Sequence, residues 1–383
     1  MKLIILNALL LVAVVGHLAL WATIFNQIHA TAWPRPSRKF SEKIIYLIVF
    51  ALLFLLAWNC WIGLSPAWLA NGLKCYGWAC MLIAAGFTIR WLVRLCHRRP
   101  VPVRNFKSRL IDVAAEAEGS LLHGWQAGLL GKIPFNQAQQ LCVQQFDLLV
   151  PDLPAGLEGL KIAHLSDLHF TGKLDIAFFE RVVEQTNQLD ADLICLTGDV
   201  IDDIKCMSWL APILGKIDIT KPKLFVLGNH DRRIEDEKRL RQQIESQGWA
   251  GLGYDLVRLE FNGVPVVCCG NELPWYEGAN SISNIDVPEG GFSILLSHSP
   301  DQFSWARNHQ FNLVLAGHTH GGQIRFPLIG PVIAPSCYGV KFASGTFQLG
   351  QTVMHVSRGI SGDDLIRINC PPELSLIVLQ RAE

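Results

Sequence analysis

Residues 311–320 read FNLVLAGHTH: a six-residue apolar run, then a Gly-rich turn carrying His318 and His320. The run has the length and composition of a buried strand. The two histidines flank a single residue, so both can point into one cavity. The same grammar occurs four more times upstream. Residues 160–166 (LKIAHLS) end in Asp167-Leu168-His169, and residues 192–197 (DLICLT) end in Gly198-Asp199. Residues 223–227 (KLFVL) end in Gly228-Asn229-His230-Asp231, and residues 292–297 (FSILLS) end in His298. Between the runs, 174–189 places Phe178, Phe179, Val182, Val183 and Leu189 on one helical face, and 235–247 reads as a helix closed by Gly248. Strands alternating with crossover helices imply an α/β architecture, in which ligands bind beyond the carboxyl ends of the strands.

Five strand ends therefore deliver Asp167, His169, Asp199, Asn229, His230, His298, His318 and His320 to one edge. Any one of these motifs is common by chance; the ordered set is not. His164 and His355, in contrast, read as core histidines satisfied by neighbours. The donors are carboxylate, amide and imidazole with no thiol, which suits Mn, Fe or Zn and argues against a structural zinc. There are too many donors for one ion, and a carboxylate can bridge two. Two divalent ions about 3.5–4 Å apart can clamp a phosphoryl group and lower the pKa of a water to about 7. The residues thus point to metal-assisted hydrolysis of a phosphate ester.

The chain around this region is divided. Of 383 residues, half are hydrophobic and 17% charged, with 33 basic residues against 33 acidic, which excludes disorder, a disulfide scaffold and a generally basic nucleic-acid binder. Residues 1–99 hold ten basic residues and one acid, Glu42, for a net +9; the remainder carries −9. Seven of the twelve Trp lie before residue 92. We read 1–99 as a membrane region with three transmembrane helices at 3–25, 44–64 and 70–91. The third apolar run is short, 75–89, but Lys74 and Arg90 can snorkel from its ends. The first run lacks a clear small-x-small cleavage site, which argues against a cleaved signal peptide. Basic residues concentrate at 31–43 and 90–109, so three spans place both segments, and the catalytic domain, on the cytoplasmic side. Residues 100–141 are expected to be a connector, with 109–130 as an amphipathic surface helix. The catalytic domain is expected at 142–383. Its seven cysteines lack framework spacing and suit a reducing compartment.

Taken together, Asp167-x-His169, Gly198-Asp199-x-x-Asp202, Gly228-Asn229-His230-Asp231, His298 and Gly317-His318-x-His320 resemble the calcineurin-like metallophosphoesterase family. The run Gly-His-Thr-His-Gly-Gly-Gln from Gly317 is similar to a bacterial branch of membrane-associated phosphodiesterases and UDP-2,3-diacylglucosamine hydrolases. The resemblance implies a four-layer α-β-β-α sandwich and two divalent metal ions. It implies that Asp167, His169 and His320 hold one ion, that Asn229, His298 and His318 hold the other, and that Asp199 bridges them. His230 would protonate the leaving oxygen, with Asp202 orienting its ring. Arg325 and Arg358 are candidate phosphate contacts. The expected activity is that of a membrane-anchored phosphodiesterase or pyrophosphatase, in a bacterial inner membrane, acting on a lipid-linked phosphate and not on nucleic acid. Alternatives are an anchored phosphomonoesterase of a soluble substrate and a non-catalytic metal-binding scaffold.

Overall fold

The computed structural model describes residues 1–64, 66–96, 102–117, 119–253, 255–276 and 286–382. The chain divides into two compact units, Met1–Pro100 and Val101–Glu383.

The first unit consists of three helices, α1 (Lys2–His29), α2 (Arg35–Trp61) and α3 (Ala67–Cys96). All three are long and apolar enough to cross a membrane. The third exceeds its short apolar run because the helix continues through Lys74 and Arg90. Where these helices meet, small residues and polar pairs take the place of hydrophobic driving force. A Cβ on Gly16 would stand 1.8 Å from the Cys80 carbonyl oxygen, so α1 and α3 meet backbone to backbone. Beside it the Tyr76 hydroxyl lies 2.7 Å from His17 Nδ1, His17 Nε2 reaches the Val49 carbonyl at 3.2 Å, and Trp21 Nε1 donates to Tyr76 at 3.2 Å. The other polar interruptions are also paired: Trp61 donates to Asn7, Asn59 to the Ala70 carbonyl and Thr23 to the Ala19 carbonyl.

The second unit opens with β1 (Val103–Asp112), α4 (Val113–Glu116), α5 (Trp125–Gly131) and β2 (Gln140–Val150). The surface helix expected over 109–130 is not formed. β1 pairs antiparallel with β2, Asp112 then caps the four-residue α4 through the Ala115 amide, and Gly124 takes a left-handed backbone (φ 83°) before α5. There follow β3 (Lys161–Leu165), α6 (Ile176–Gln188), β4 (Leu193–Thr197), α7 (Leu210–Leu214), β5 (Lys223–Val226), α8 (Glu237–Glu245) and β6 (Ala250–Gly251). The unit continues with β7 (Leu256–Phe261), β8 (Val264–Asn271), β9 (Phe292–Ser297), α9 (Phe303–Asn308), β10 (Leu313–Ala316), β11 (Arg325–Phe326) and β12 (Gly330–Pro331). It closes with β13 (Gly345–Leu349), β14 (Thr352–Val356) and β15 (Glu373–Arg381).

Among the described residues these strands form two mixed sheets, β1-β2-β15-β3-β4-β5-β6 and β13-β14-β10-β9-β8-β7, and a two-stranded β11–β12 ribbon. Between the sheets lies the main core: Phe146, Ile162, Leu193, Leu224 and Ile377 from the first meet Val266, Ile294, Leu315 and Val353 from the second. Helices cover outer faces. α6 starts at Asp175, whose carboxylate takes the Ala177 amide, and buries Phe178, Phe179, Val182 and Val183, the stripe expected from sequence. On the other side Phe303 and Ala306 of α9 pack against Leu295, Val314 and Met354. This is the mixed α/β layering expected of the sequence.

Register then does the positioning. In the first sheet Leu165 pairs with Leu196 and Thr197 with Val226. In the second Ala316 pairs with both Ser297 and Val356. The parallel strands thus end level, and the next residues along each are the candidate ligands.

Candidate metal centre

Those residues leave their strands in a conformation that side chains usually avoid. Asp167, His169, Asp199, His318 and His320 all have positive φ, between 46° and 70°. Each such residue costs roughly 1 kcal/mol or more, and local strain of this kind gathers at functional sites. Glycines make room for the turns. A Cβ on Gly317 would fall 1.8 Å from Ser166 Oγ and 2.5 Å from Asp167 Oδ2, and one on Gly228 would fall 2.3 Å from Asp199 Oδ1.

Two donor groups form around one shared carboxylate. Asp167, His169, Asp199 and His320 make one; Asp199, His298 and His318 make the other. His298 Nε2 lies 3.2 Å from Asp199 Oδ2 and 3.2 Å from Asn229 Oδ1, which brings Asn229 to the second group. His169 Nε2 is 3.5 Å from Asp199 Oδ2 and 3.8 Å from Asp167 Oδ1, and His320 Nε2 is 3.5 Å from Asp167 Oδ1.

The imidazoles are oriented from behind. His169 Nδ1 bonds Asp202 Oδ2 at 2.6 Å, His298 Nδ1 the Thr197 carbonyl at 2.7 Å, and His320 Nδ1 the Ser361 carbonyl at 3.0 Å. Each therefore turns Nε2 inward, the arrangement that outer partners impose on metal-binding histidines. The carboxylates are held as well: Asp167 accepts the His318 amide at 3.1 Å and Asp199 the His230 amide at 2.7 Å.

Charge tests whether a cation fits. Asp167 and Asp199 are buried side chains in one cluster, and buried carboxylates need positive charge beside them. Burial alone would raise both; His320, His169 and His298 around Asp167, and His298, His230 and His169 around Asp199, hold them below the ordinary range. Burial would lower His298, yet Asp199 and Asp167 push it up to about 9. His318 is lowered by burial and by His298, and its Nε2 is a buried atom with no hydrogen-bond partner. An acceptor orphaned among carboxylates, with no thiol nearby, fits a divalent cation.

His230 stands apart from the inner donors. Its side chain is 16% exposed, against 0% for His169, and Nδ1 bonds Asp202 Oδ1 at 2.5 Å. Asp202 thereby serves two imidazoles, not one, and also pairs with Arg233. Arg233 continues to Asp363 at 2.9 Å, and Lys173 meets the same carboxylate at 2.6 Å. Sequence reasoning missed Arg233, Lys173 and Asp363; the adjacency of Arg232-Arg233 to the Gly-Asn-His-Asp turn was the available signal. Asp231 was quoted but given no role. Its carboxylate takes the amides of Gly228, Val200 and Ile201 at 2.7–3.0 Å and ties together the two loops that carry Asp199 and Asn229. Buried Arg367, to which the sequence assigned no role, donates to the carbonyls of His320 and Arg358.

The two candidate phosphate arginines have protein partners. Arg325 bonds Ser344 Oγ at 2.6 Å, and the half-buried Arg358 pairs with Glu373 at 2.5 Å. Trp275 packs against His298 and His318 with ring centroids 5.3 and 4.8 Å away. His164 and His355 behave as core residues, bonded Nδ1 to Nδ1 at 2.8 Å. The described thiols are free, and of the seven in this unit all but Cys337 are buried.

Comparison with known proteins agrees with this geometry. Residues 160–322 match the family model described as calcineurin-like phosphoesterase. An uncharacterized metallophosphoesterase of Bacillus subtilis, YkuE, is 32% identical over 240 residues, covering 60% of this chain and 82% of that protein. The phosphodiesterase YaeI of Escherichia coli is 27% identical over 233 residues, 57% of this chain and 82% of its own. A zebrafish (Danio rerio) protein described as a transmembrane protein with metallophosphoesterase domain is 27% identical over 416 residues, 99% of this chain and 89% of its own. Three apolar helices and this last relative indicate membrane association. A two-sheet fold, donors gathered at its strand ends and these relatives lead to one conclusion: the chain belongs to the calcineurin-like metallophosphoesterase family, whose members are metal-dependent phosphoester hydrolases.

Proposed function

We propose that the protein is a membrane-anchored dinuclear phosphodiesterase or pyrophosphatase whose substrate carries a lipid. The observation that supports a pair of ions is Asp199, which belongs to both donor groups. In this reading Asp167, His169 and His320 hold one divalent ion, Asn229, His298 and His318 the other, and Asp199 bridges. When bound, the ions supply Lewis-acid charge at the phosphoryl group and ease deprotonation of a water.

The protein's own groups do the rest. Asp202 accepts the Nδ1 proton of His230 and fixes the ring, so that a proton carried on Nε2 can pass to the leaving oxygen. The same carboxylate holds the His169 ring, so proton donor and ligand are fixed to one point. Arg233 neutralises Asp202 from the side and is itself anchored by Asp363. The level strand ends keep these groups in place through backbone register, which lowers the reorganisation needed during reaction.

Diester specificity draws support from the Escherichia coli phosphodiesterase, and the lipid from the anchor, which raises the effective concentration of a membrane-borne substrate. We place the catalytic unit on the cytoplasmic face, following the basic loops, in a bacterial inner membrane. A reporter fused after Glu383 should then signal cytoplasmic; an extracytoplasmic signal contradicts three spans.

The substrate reading is tested with the full chain in mixed micelles, comparing an aryl phosphomonoester, a soluble diester and a lipid-linked diester or pyrophosphate. Highest kcat/KM on the lipid-linked compound supports it. Preference for the monoester would make the protein an anchored phosphomonoesterase, and no turnover from metal-loaded protein a scaffold.

A further inference from the structure

Two apolar protrusions flank one side of the metal centre. The first is the β11–β12 ribbon, which begins three residues after the turn of His320 and leaves Phe326 (51%), Leu328 (90%), Ile329 (65%) and Ile333 (47%) exposed. The second is α5 with the loop after it, where Trp125 (77%), Leu129 (62%) and Phe135 (86%) are exposed. Single exposed apolar residues are ordinary; seven large ones on two neighbouring projections are not.

Hydrogen bonds place both projections beside His320. Arg367 donates to the His320 carbonyl at 3.0 Å, and its own backbone is bonded to Asn136 and Gln137, directly after Phe135. The next residue, Ile368, accepts the Arg325 amide at 3.0 Å, and Asn369 donates to the Arg325 carbonyl. One short segment, 365–370, is thus bonded to the ribbon, to the loop after α5 and to the His320 turn.

Charge is one-sided as well. Residues 119–146 and 323–335, which include the projections, contain no Asp or Glu and carry Lys132 and Arg325. Asp364, immediately before that segment, is an exposed acid. An apolar surface with aromatic residues and basic surroundings fits the headgroup–acyl boundary of an anionic bilayer. The same chain carries three helices long and apolar enough to cross such a bilayer.

We propose that these two projections form a bilayer-docking rim, which seats the metal centre's His320 side on the membrane surface. The rim does not depend on the identity of the substrate. It gives a phosphate at headgroup depth a route to the metal centre without leaving the interface. The occupant is the lipid surface, not a second copy of the chain.

The test uses full-length protein in nanodiscs containing phosphatidylglycerol, with p-benzoylphenylalanine introduced singly at Phe326, Ile329 or Leu129. Ile219, 80% exposed and close before the amino end of β5, opposite the strand ends that carry the ligands, serves as the reference position. After illumination, intact mass reads the lipid adduct. The rim predicts roughly tenfold more lipid adduct at the three positions than at Ile219, as expected for side chains inside the interface. Yields equal to Ile219, or cross-linking to a second chain in place of lipid, overturn it. A labelled protein that does not co-elute with the parent is replaced by one labelled at Ile333 or Trp125, so the comparison is always completed.

Discussion

His169 and His320 face each other with Nε2 atoms 3.2 Å apart, while both Nδ1 atoms are bonded outward, to Asp202 and to the Ser361 carbonyl. Two imidazole nitrogens so placed need a positive charge between or beside them, and Asp167 and Asp199 provide the counter-charge. Replacing His320 with Ala should therefore remove an ion as well as a side chain. Elemental analysis of His320→Ala should show about one ion fewer per chain, with kcat/KM down by roughly a hundredfold or more. Unchanged metal content would remove His320 from the ligand set.

Asp202 and His230 should separate in a paired experiment. His230→Ala keeps every inner donor, so metal content stays at the parental level while kcat falls by roughly 10²–10⁴-fold. Asp202→Ala also releases the His169 ring, and outer partners of this kind are worth roughly 10–100-fold in metal affinity. A metal titration of both variants checks this; equal affinities would mean that Asp202 acts on His230 alone.

Gly317 is predicted to tolerate no side chain. The Cβ of Gly317→Ala would collide with Ser166 and Asp167, the first of which bonds the second. Overpacking of this kind costs about 1–3 kcal/mol and here displaces a ligand. Thermal unfolding should shift to lower temperature and metal content should fall together. Loss of stability without loss of metal would show that the displacement is absorbed elsewhere.

Asp363 gives a pH dependence away from the inner donors. Burial would raise its carboxyl, but Arg233 and then Lys173 outweigh it and hold it below the ordinary carboxylate range. Its folded pKa is therefore depressed, so the unfolded chain takes up the proton first as pH falls. The stabilisation is complete above about pH 5 and is lost as pH drops through and below the unfolded value of about 3.9. Unfolding curves of the parent and of Asp363→Asn should differ at pH 7, and the gap should begin to shrink below about pH 4 and close only below the depressed folded pKa. The ion pairs are partly exposed, so added salt should shrink the gap.

Much of this was legible because the site is written at strand ends. Residues 160–166, 192–197, 223–227 and 292–297 were read as strands within one or two residues of β3, β4, β5 and β9, since buried parallel strands are near-continuous apolar runs. The run at 311–316 begins two residues before β10. The donors follow those runs directly, so the cluster could be assembled from local pattern alone. Long-range pairing could not. β15, near the end of the chain, inserts between β2 and β3, parallel to one and antiparallel to the other, and β1 completes that edge. Nothing in the periodicity of 103–112 announces this, because β1 is exposed along most of its length and carries no alternation. The roles of Arg233 and Arg367 were missed for a related reason: their partners, Asp363 and the His320 carbonyl, are distant in sequence. The stretch 327–334 (PLIGPVIA) is apolar in sequence, but only the exposure of Leu328, Ile329 and Ile333 distinguishes a projection from core.

The central claim is a dinuclear diesterase built around Asp199. The most direct measurement is turnover of a bis-aryl phosphodiester by the full-length protein in detergent, titrated with Mn²⁺ beside Asp199→Asn and with bound metal counted. The account predicts activity that saturates at two ions per chain and disappears, with lowered metal content, in the variant. Full activity at one ion per chain, or activity retained in Asp199→Asn, would contradict it.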